Sequence, residues 1–447
     1  MRPSALRQQT RAQPFSIYIH WPYCERYQYL KEKRYVLSHS YMCIHSKCTY
    51  CNFNKYINPK NPPYERLANA MATELTYFLT HPKYQLEKRK LHSIYFGGGT
   101  PKQSADRIGL VPSVIRRLLD TISQYTNIHD RIEISMEANP TSIEMTQLKA
   151  FRDIGINRLS LGVQSFNSAD LKLLGRDHSG DEAVKAISIA KDIFHQHRVT
   201  FDMIYARPGQ TVEALTLSGD HLSMYQLSLE KSTPLHKKVV KGLVKNIPDS
   251  DIAADMYEDT VSIAKQYGFT HYEVSSFARH QKSISRHNFS YWQGMDFLGK
   301  LLWPGAHGRL TENLVRERTF GEFHPEKYMA LCEAEGEGIR KSQPVSSRDM
   351  AEELIVFGLR TRMGIPRSRF KIMTNGQLLD DFIDKQALAM LIEAGFVVDE
   401  SSKTDTQMSS YVPEELEYEW LEGGIRPTEA GLERIDSILP LLMKREN

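Results

Sequence analysis

The chain has 447 residues and is nearly balanced in charge, with 57 Lys and Arg against 54 Asp and Glu. That length allows two or three domains with a large core, and the charge balance disfavours nucleic acid as the main partner. No apolar run reaches the length of a membrane span, so the sequence predicts a soluble protein that has no transmembrane segment. Four of the five cysteines are crowded between positions 24 and 51, which favours a reducing compartment over a secreted disulfide framework.

The first fourteen residues are basic: Arg2, Arg7 and Arg11 occur there with Ser and Thr and without an acidic residue. This composition suits a short mitochondrial transit peptide over residues 1–14, and the alternative is an incidentally basic tail. We therefore expect a mitochondrial protein, with a cytoplasmic location as the alternative.

A short apolar strand over residues 18–20 leads into the clustered cysteines. Cys48 and Cys51 have the C-x2-C spacing with which one tight turn presents two sulfurs to a metal ion or cluster. Cys24 and Cys43 precede them. The pair alone is equally compatible with a redox pair, half of a zinc site or chance, whereas the clustering favours a metal centre.

Apolar strands and helices alternate along the next two hundred or so residues. The residues Leu67, Met71, Leu75 and Phe78 predict one buried helix face, and Val184, Ile187, Ala190 and Phe194 predict another. The predicted strands are 16–20, 91–96, 131–138, 158–162, 200–204 and 224–229, and capping boxes at Thr141-x2-Glu144 and Ser179-x2-Glu182 begin two of the helices. This alternation predicts a parallel sheet, and in a barrel the chemistry sits at the carboxyl ends of the strands.

Candidate ligand residues lie at those carboxyl ends. A glycine run at 97–99 lets backbone approach a ligand, and the carboxylates Glu137 and Asp202 lie at two further strands. Arg176 adds a positive charge after the strand that ends near residue 162. Judged singly, each is more simply a turn or a surface charge; their joint position at strand ends predicts a ligand site.

The cysteine region resembles a known family. Tyr18-Ile19-His20-Trp21-Pro22-Tyr23-Cys24 and Lys47-Cys48-Thr49-Tyr50-Cys51-Asn52-Phe53-Asn54 resemble the cluster loop of the HemN/HemW branch of radical S-adenosylmethionine (SAM) proteins. The resemblance implies an α/β fold, a partial (β/α)6 TIM-like radical SAM barrel with a C-terminal, mainly helical HemN-type domain. We expect the barrel and its extension over residues 15–322, with an inserted loop at 27–46, and the helical domain over residues 323–447.

The resemblance also implies cofactors and their ligands. A 4Fe-4S cluster would be held by Cys24, Cys48 and Cys51, with Cys43 as the alternative third ligand. The GGGTP loop would contact the amino group of SAM, Glu137 and Asp202 its ribose hydroxyls, and Arg176 its carboxylate. The full set expected to bind SAM is Tyr18, Gly97, Gly98, Gly99, Thr100, Glu137, Gln164, Arg176 and Asp202.

Four departures from the family pattern stand out. Cys24 and Cys48 are separated by 23 residues instead of three. Lengthening the loop costs roughly 1.8 kcal/mol, against about 10 kcal/mol or more for metal–thiolate binding, so entropy alone does not forbid the site. Ala206 and Arg207 replace a usual glycine and leucine, and residues 211–221 are short for a crossover helix, which predicts a disturbed barrel on that side. Residues 300–303 contain about two residues more than the family pattern.

The motif His287-Asn288-Phe289-Ser290-Tyr291-Trp292 matches H-N-x-x-Y-W of the HemW subgroup, which implies that His287 binds heme; the alternative is a hydrogen-bonded structural histidine. The function implied is a heme chaperone that passes heme to acceptor proteins and uses an unidentified electron donor. One alternative is an oxygen-independent coproporphyrinogen III oxidase-like enzyme. Another is a scaffold that has lost the cluster or binds zinc.

The C-terminal part is predicted to be helical and charged. Helices are expected at 352–360, 377–394 and 428–439, with a polar loop at 401–410. A winged-helix DNA-binding module is the competing interpretation, and the balanced charge disfavours it.

Overall fold

The computed structural model describes residues 13–24, 48–51, 56–57, 63–98, 103–104, 107–108, 110–141, 145–207, 217, 219–231, 233–245, 247–301, 307–312, 315–400 and 414–444. Several predictions fall outside these residues, namely the transit peptide up to residue 12, the inserted loop 27–46 with Cys43, the pair Gly99 and Thr100, and the polar loop 401–410. Of Cys24 the backbone is described.

Nineteen strands lie within the described residues. In chain order they are β1 (Phe15–Trp21), β2 (Tyr23–Cys24), β3 (Tyr56–Ile57), β4 (Leu91–Gly98), β5 (Gln103–Ser104), β6 (Arg107–Ile108), β7 (Glu133–Ala138), β8 (Arg158–Gln164), β9 (Val199–Tyr205), β10 (His221–Gln226), β11 (Thr270–Glu273), β12 (Ser276–Ala278), β13 (Asp296–Leu301), β14 (His307–Glu312), β15 (Val315–Gly321), β16 (Ile339–Pro344), β17 (Ile365–Pro366), β18 (Val397–Glu400) and β19 (Gly424–Pro427).

Six parallel strands form the centre of the main sheet. They are β1, β4, β7, β8, β9 and β10, and each pairs with the next along the chain. Parallel strands carry near-continuous apolar runs because helices cover their faces. Ile17, Ile94 and Phe201 are accordingly fully buried. This order of strands confirms the predicted partial (β/α)6 barrel.

The barrel is open on one side. β1 pairs with β13 and not with β10, so the sheet does not close on itself within the described residues. β12 and β11 extend the sheet antiparallel beyond β10, and β14, β15 and β16 extend it antiparallel beyond β13. The result is one sheet of twelve described strands with the parallel unit in its middle.

Fourteen α-helices lie within the described residues, and none of them is long and apolar enough to cross a lipid bilayer. They are α1 (Tyr64–Thr80), α2 (Pro112–Tyr125), α3 (Leu148–Asp153), α4 (Ser168–Leu173), α5 (Gly180–Phe194), α6 (Pro234–Val240), α7 (Ser250–Gln266), α8 (Arg286–Trp292), α9 (Pro325–Glu335), α10 (Ser347–Leu359), α11 (Arg367–Met373), α12 (Lys385–Glu393), α13 (Glu429–Glu433) and α14 (Ile435–Leu442).

Helical periodicity predicted α1 correctly and α5 in part. In α1 the predicted face of Leu67, Met71, Leu75 and Phe78 is buried. In α5 the Ser179 capping box is present, and Ile187, Ala190 and Phe194 are buried.

Val184 was wrongly placed on the buried face of α5, because it is 37% exposed. At about 100° per residue it lies roughly 90° from the stripe that Ile187, Ala190 and Phe194 define. Ala183 occupies that stripe instead and is fully buried.

The predicted disturbance after β9 is absent from the pairing of the described strands. β10 pairs with β9 over their described lengths, from Thr200 opposite His221 to Tyr205 opposite Gln226. The connection between them spans residues 206–220, fifteen residues, which meets the length a parallel crossover needs. The predicted strand 224–229 was three residues too far along the chain.

The C-terminal part packs around its own apolar cluster, which runs from Val345 to Leu442. The helix predicted at 377–394 was wrong in extent, since Asp384 caps a new helix, α12, by accepting from the backbone N–H groups of Gln386 and Ala387. The helix predicted at 428–439 is two helices, α13 and α14. A small antiparallel sheet in the order β17, β19, β18 was not predicted.

Helix α9 packs against the barrel and not in the C-terminal cluster. Tyr328 and Cys332 of α9 belong to the barrel core. The Tyr328 hydroxyl donates to Glu74 of α1 at 2.7 Å, and the Gly338 N–H donates to the same carboxyl group at 3.0 Å. Burial raises the pKa of Glu74 to about 7. The predicted domain boundary at 322/323 stays a prediction, and the apolar clusters divide nearer to Val345.

Candidate functional site

The predicted SAM-binding residues that the structure describes lie along the carboxyl ends of the parallel strands. Tyr18 is on β1, Gly97 and Gly98 end β4, Glu137 is on β7, Gln164 ends β8 and Asp202 is on β9. Because neighbouring parallel strands bring their carboxyl ends to one edge, the sheet gathers these residues on one side of the barrel.

The end of β4 admits only glycine. Gly98 has φ +102°, and a Cβ built on it would lie 2.5 Å from the carbonyl oxygen of Trp21 and 2.6 Å from the His20 ring. A Cβ on Gly97 would collide with the Tyr18 hydroxyl. The glycines therefore allow β1 and β4 to approach closely where the loop towards Gly99 begins.

Glu137 links the ends of β4 and β7. Its carboxylate accepts a hydrogen bond from the Gly98 N–H at 3.1 Å. The buried Tyr18 hydroxyl lies close by; burial, followed by the charge of Glu137, raises the Tyr18 pKa well above its ordinary value.

Asp202 is the second carboxyl group of the site. Burial, followed by the charge of Glu137, raises the pKa of Asp202 to about 7, and the Ser160 hydroxyl donates to it at 3.3 Å. A carboxyl group whose pKa lies near 7 can both accept and donate hydrogen bonds around neutral pH. That property suits the hydroxyl groups of a ligand.

Arg176 follows α4 and is held by the ends of β7 and β8. Its Nη2 donates to the Gly162 carbonyl at 2.6 Å and to the Asn139 side-chain oxygen at 2.5 Å. A Cβ on Gly162 would lie 3.2 Å from that Nη2 and 3.3 Å from the Gln164 side chain, so glycine leaves room for both groups. Gln164 itself has φ +66°, which turns the chain out of β8.

The C-x2-C segment docks beside Arg176. Arg176 Nη1 donates to Cys48 Sγ at 3.3 Å. Burial alone lowers the pKa of Arg176, but Cys48 and then Tyr50 raise it above its ordinary value. The segment is anchored through Thr49, whose N–H donates to the Leu174 carbonyl at 2.9 Å. The side chains of Cys48 and Cys51 are both partly exposed.

The backbone of Cys24 pairs with the chain that follows the C-x2-C segment. β2 pairs in parallel with β3, and Cys24 is opposite Ile57, six residues beyond Cys51. The chain on either side of the inserted loop is therefore held together by strand pairing. Among the described side chains, no three His, Cys, Asp or Glu residues lie close enough together to hold a metal ion. Of the four clustered cysteines, the described side chains are those of Cys48 and Cys51.

His287 is buried deep in the barrel and is 1% exposed. Its Nδ1 is 2.9 Å from the Ser93 hydroxyl, its Nε2 is 2.9 Å from the Tyr291 hydroxyl, and its ring stacks on Tyr95 at 4.8 Å. Burial lowers the His287 pKa to about 3, so the ring is neutral. Both nitrogens are engaged, and binding a heme iron would require one hydrogen bond to break.

Comparison with known proteins decides the family. Residues 37–218 match the radical SAM superfamily. Radical S-adenosyl methionine domain-containing protein 1, mitochondrial, of Danio rerio is 31% identical over 442 residues, which cover 96% of this chain and 86% of that protein. Heme chaperone HemW of Haemophilus influenzae is 30% identical over 396 residues, which cover 86% of this chain and 92% of that protein. The chain belongs to the HemW-like branch of the radical SAM superfamily.

The fold of this HemW-like chain is shared with a solved enzyme. Coproporphyrinogen III oxidase (HemN) from Escherichia coli superposes with a TM-score of 0.68 at 20% identity, covering 97% of this chain and 91% of that structure. At that identity the likeness concerns the fold alone. The superfamily match begins at residue 37 and so includes Cys48 and Cys51 but not Cys24.

Sequence reasoning missed three residues that contact members of the candidate site. Asn139 fixes Arg176, Thr49 anchors the cysteine segment, and Tyr95 stacks on both Tyr18 and His287. Asn139 and Thr49 stand within stretches already singled out, two residues after Glu137 and between the two cysteines, so their position was a usable signal. Tyr95 carried none, because an aromatic residue inside a strand is ordinary core.

Proposed function

We propose that this protein is a HemW-like heme chaperone that binds a 4Fe-4S cluster, SAM and heme and passes heme to acceptor proteins. The observation that carries the cofactor part is the contact between Arg176 and Cys48, which places a cationic anchor beside a thiol at the carboxyl ends of the strands. The heme part is supported by relatives of at least 30% identity that are named heme chaperone HemW.

The described residues fit the proposed cofactors. Cys48 and Cys51 supply two partly exposed thiols, and thiolates are the ligands of iron–sulfur clusters. When bound, such a cluster would supply one electron for reductive cleavage of SAM. The Gly97-Gly98-Gly99-Thr100 loop would hold the SAM amino group, Glu137 and Asp202 its ribose hydroxyls, and Arg176 its carboxylate, with Gln164 as a polar neighbour.

Cys24 is the proposed third thiolate, and Cys43 the alternative. The pairing of Cys24 with Ile57 supports this choice, because it keeps the backbone of Cys24 close to the chain that leaves Cys51. With Cys24 as a ligand, the long connection to Cys48 adds the modest entropic cost expected for its length.

The first experiment measures iron, acid-labile sulfide and zinc after anaerobic reconstitution, with the visible spectrum taken before and after SAM is added. We expect about four irons per chain and a spectral change on adding SAM. Zinc, or no metal, would favour the cluster-less scaffold.

Single cysteine variants test the ligand set. Cys24→Ala should abolish the cluster and Cys43→Ala should leave it intact; the reverse pattern would overturn our assignment. Cys332→Ala is the matched control, because this thiol is 1% exposed within the barrel core, away from the C-x2-C segment.

A comparison of two buried histidines tests the heme ligand. His287→Ala should lower heme affinity, whereas Tyr291→Phe, which releases Nε2, should maintain or increase it. His221 is a matched control, since its Nε2 is likewise hydrogen-bonded to a tyrosine, Tyr272, at 2.8 Å. Equal effects of His287→Ala and His221→Ala would remove His287 as a ligand.

The enzyme alternative rests on fold likeness alone. Incubation with coproporphyrinogen III under reducing, anaerobic conditions with SAM should give no turnover, and heme-loaded protein should transfer heme to an apo-hemoprotein such as apomyoglobin. Turnover without transfer would instead identify a coproporphyrinogen oxidase-like enzyme.

We also propose a mitochondrial location, supported by relatives from Danio rerio and Mus musculus whose names include that compartment. Residues 1–14 fused to a fluorescent protein should direct it to mitochondria if they form a transit peptide. Diffuse cytoplasmic fluorescence would contradict that role. The electron donor and the heme acceptors are the protein partners this function requires.

A further inference from the structure

Arg207 is a departure from the family pattern that the structure accounts for. The side chain follows β9 and is 4% exposed. It forms an ion pair with Asp170 of α4, and its Nη1 donates to the Ser165 hydroxyl at 2.5 Å. Its Nε donates to the Ile204 carbonyl at 2.5 Å, which binds the guanidinium back to its own strand.

The partners of Arg207 form the beginning of α4. The Ser165 hydroxyl donates to Asp170 at 3.1 Å and accepts from the Asn167 N–H at 3.0 Å. Asn167 is the cap of α4, its side-chain oxygen accepting from two backbone N–H groups of the first turn. Arg207 therefore contacts both the cap region and the first turn of this short helix.

The other end of α4 holds the cysteine segment. Thr49 donates its N–H to the Leu174 carbonyl at 2.9 Å and its hydroxyl to the Leu173 carbonyl at 2.7 Å. The N–H of Arg176 donates to the Leu171 carbonyl at 2.8 Å. One short helix thus fixes the backbone of Thr49 and that of Arg176, and the Arg176 side chain contacts Cys48.

We infer that Arg207 is a positioning residue: through Asp170 and α4 it fixes the Cys48–Cys51 segment against Arg176. Arg207 and Asp170 are both buried, and Asp170 is 8% exposed. Removing one of them therefore leaves the other as a buried charge without its counterion. A six-residue helix has little stability of its own, and its placement depends on such tertiary contacts. The inference concerns the protein without cofactor; its consequence for the cluster rests on the proposed function.

Amide hydrogen exchange in the metal-free, full-length protein tests the inference directly. In Arg207→Leu the Thr49 N–H should exchange at least tenfold faster, because its acceptor on α4 is no longer held in place. Arg207→Lys, which retains the charge, should be intermediate. Asp170→Asn should accelerate exchange in the same segment, which keeps the test available if Arg207→Leu does not fold.

Arg369→Leu is the matched control. Arg369 and Glu419 form a buried ion pair of 2.7 Å in the C-terminal part of the chain, with side chains 10% and 11% exposed. This variant should lose stability without changing exchange at Thr49. Unchanged exchange at Thr49 in folded Arg207→Leu, or equal acceleration in Arg369→Leu, would overturn the inference.

A second measurement separates this inference from the proposed function. After reconstitution, Arg207→Leu should retain less iron than Arg369→Leu. With SAM added, the electron paramagnetic resonance signal of its reduced cluster should differ from that of the unaltered protein with SAM. If the unaltered protein takes up no iron, the proposed function fails while the exchange experiment still decides the role of Arg207.

Discussion

The carboxylate of Glu137 accepts a hydrogen bond from the Gly98 N–H at 3.1 Å, so that the last residue of β4 is fastened to β7. That contact exists because the chain at Gly98 adopts φ +102°, a conformation open to glycine. The backbone geometry of one strand end thus fixes the orientation of an acidic side chain on the next.

Gly98→Ala should lower the free energy of unfolding by about 2 to 4 kcal/mol, because strained backbone and overpacking act together. The new Cβ would lie 2.5 Å from the Trp21 carbonyl oxygen. Gly155→Ala is the control: Gly155 has φ +113°, but the nearest atom to its Cβ would be 3.8 Å away. It should cost about 1 kcal/mol. Urea unfolding measures the stability of both variants. Equal losses of stability would mean that crowding around the new Cβ at Gly98 does not contribute to the loss.

Asp202→Asn should flatten the dependence of stability on pH. The folded pKa of Asp202 is about 7, above the ordinary value of 3.8, so its stabilising effect is complete below about pH 4 and is lost as the pH rises through 7. The slope from this group is at most about 1.4 kcal/mol per pH unit. Thermal unfolding between pH 4 and 8 measures it, and Glu74→Gln should remove a separate, similar contribution. Parallel curves for Asp202→Asn and the unaltered protein would contradict the prediction.

Tyr328→Phe should lower stability by about 1 to 2 kcal/mol, because it leaves the buried Glu74 carboxyl group with one fewer donor. A double-mutant cycle with Glu74→Gln should give a coupling energy above about 0.5 kcal/mol. Denaturant unfolding of the four proteins measures the coupling. Additive losses would mean that the 2.7 Å contact does not hold α9 to α1.

Ala206→Gly should raise stability by about 1 kcal/mol. Ala206 has φ +58°, a left-handed conformation that an L side chain disfavours and glycine accepts. Ala190→Gly, the same change inside α5, should instead lower stability, because glycine in a buried helix loses entropy and packing. A loss of stability in Ala206→Gly, measured by the same unfolding experiment, would refute the argument.

The sequence predicted those features that local pattern determines. The parallel strands, the glycine run at Gly98 and the capping box at Ser179 each follow from neighbours within a few positions. Arg207 was recognised as unusual, but its partner Asp170 lies 37 positions earlier, and no local pattern joins them. The break before α12 was missed because the capping residue Asp384 interrupts a helix-compatible composition.

The state of His287 was likewise beyond local pattern. Its motif and its aromatic neighbour Tyr291 were visible, but Ser93 and Tyr95 come from a distant strand. Whether an imidazole nitrogen is free or engaged depends on contacts that only the assembled barrel defines. Resemblance to a family could suggest that His287 is a heme ligand, whereas packing decides how accessible its imidazole is.

The position of β1 in the sheet suggests how the chain could be cleaved into two fragments that stay together. It lies between β4 and β13, and its Phe15, Ile17, Ile19 and Trp21 side chains are fully buried. A protease site inserted within residues 27–46 would separate a short fragment that carries β1 and Cys24 from the rest of the chain. Because β1 pairs with two strands of the larger fragment, the two should remain associated after cleavage. The protein would then behave as a split protein, and assembly of the proposed cluster would report on the reunion of its two pieces.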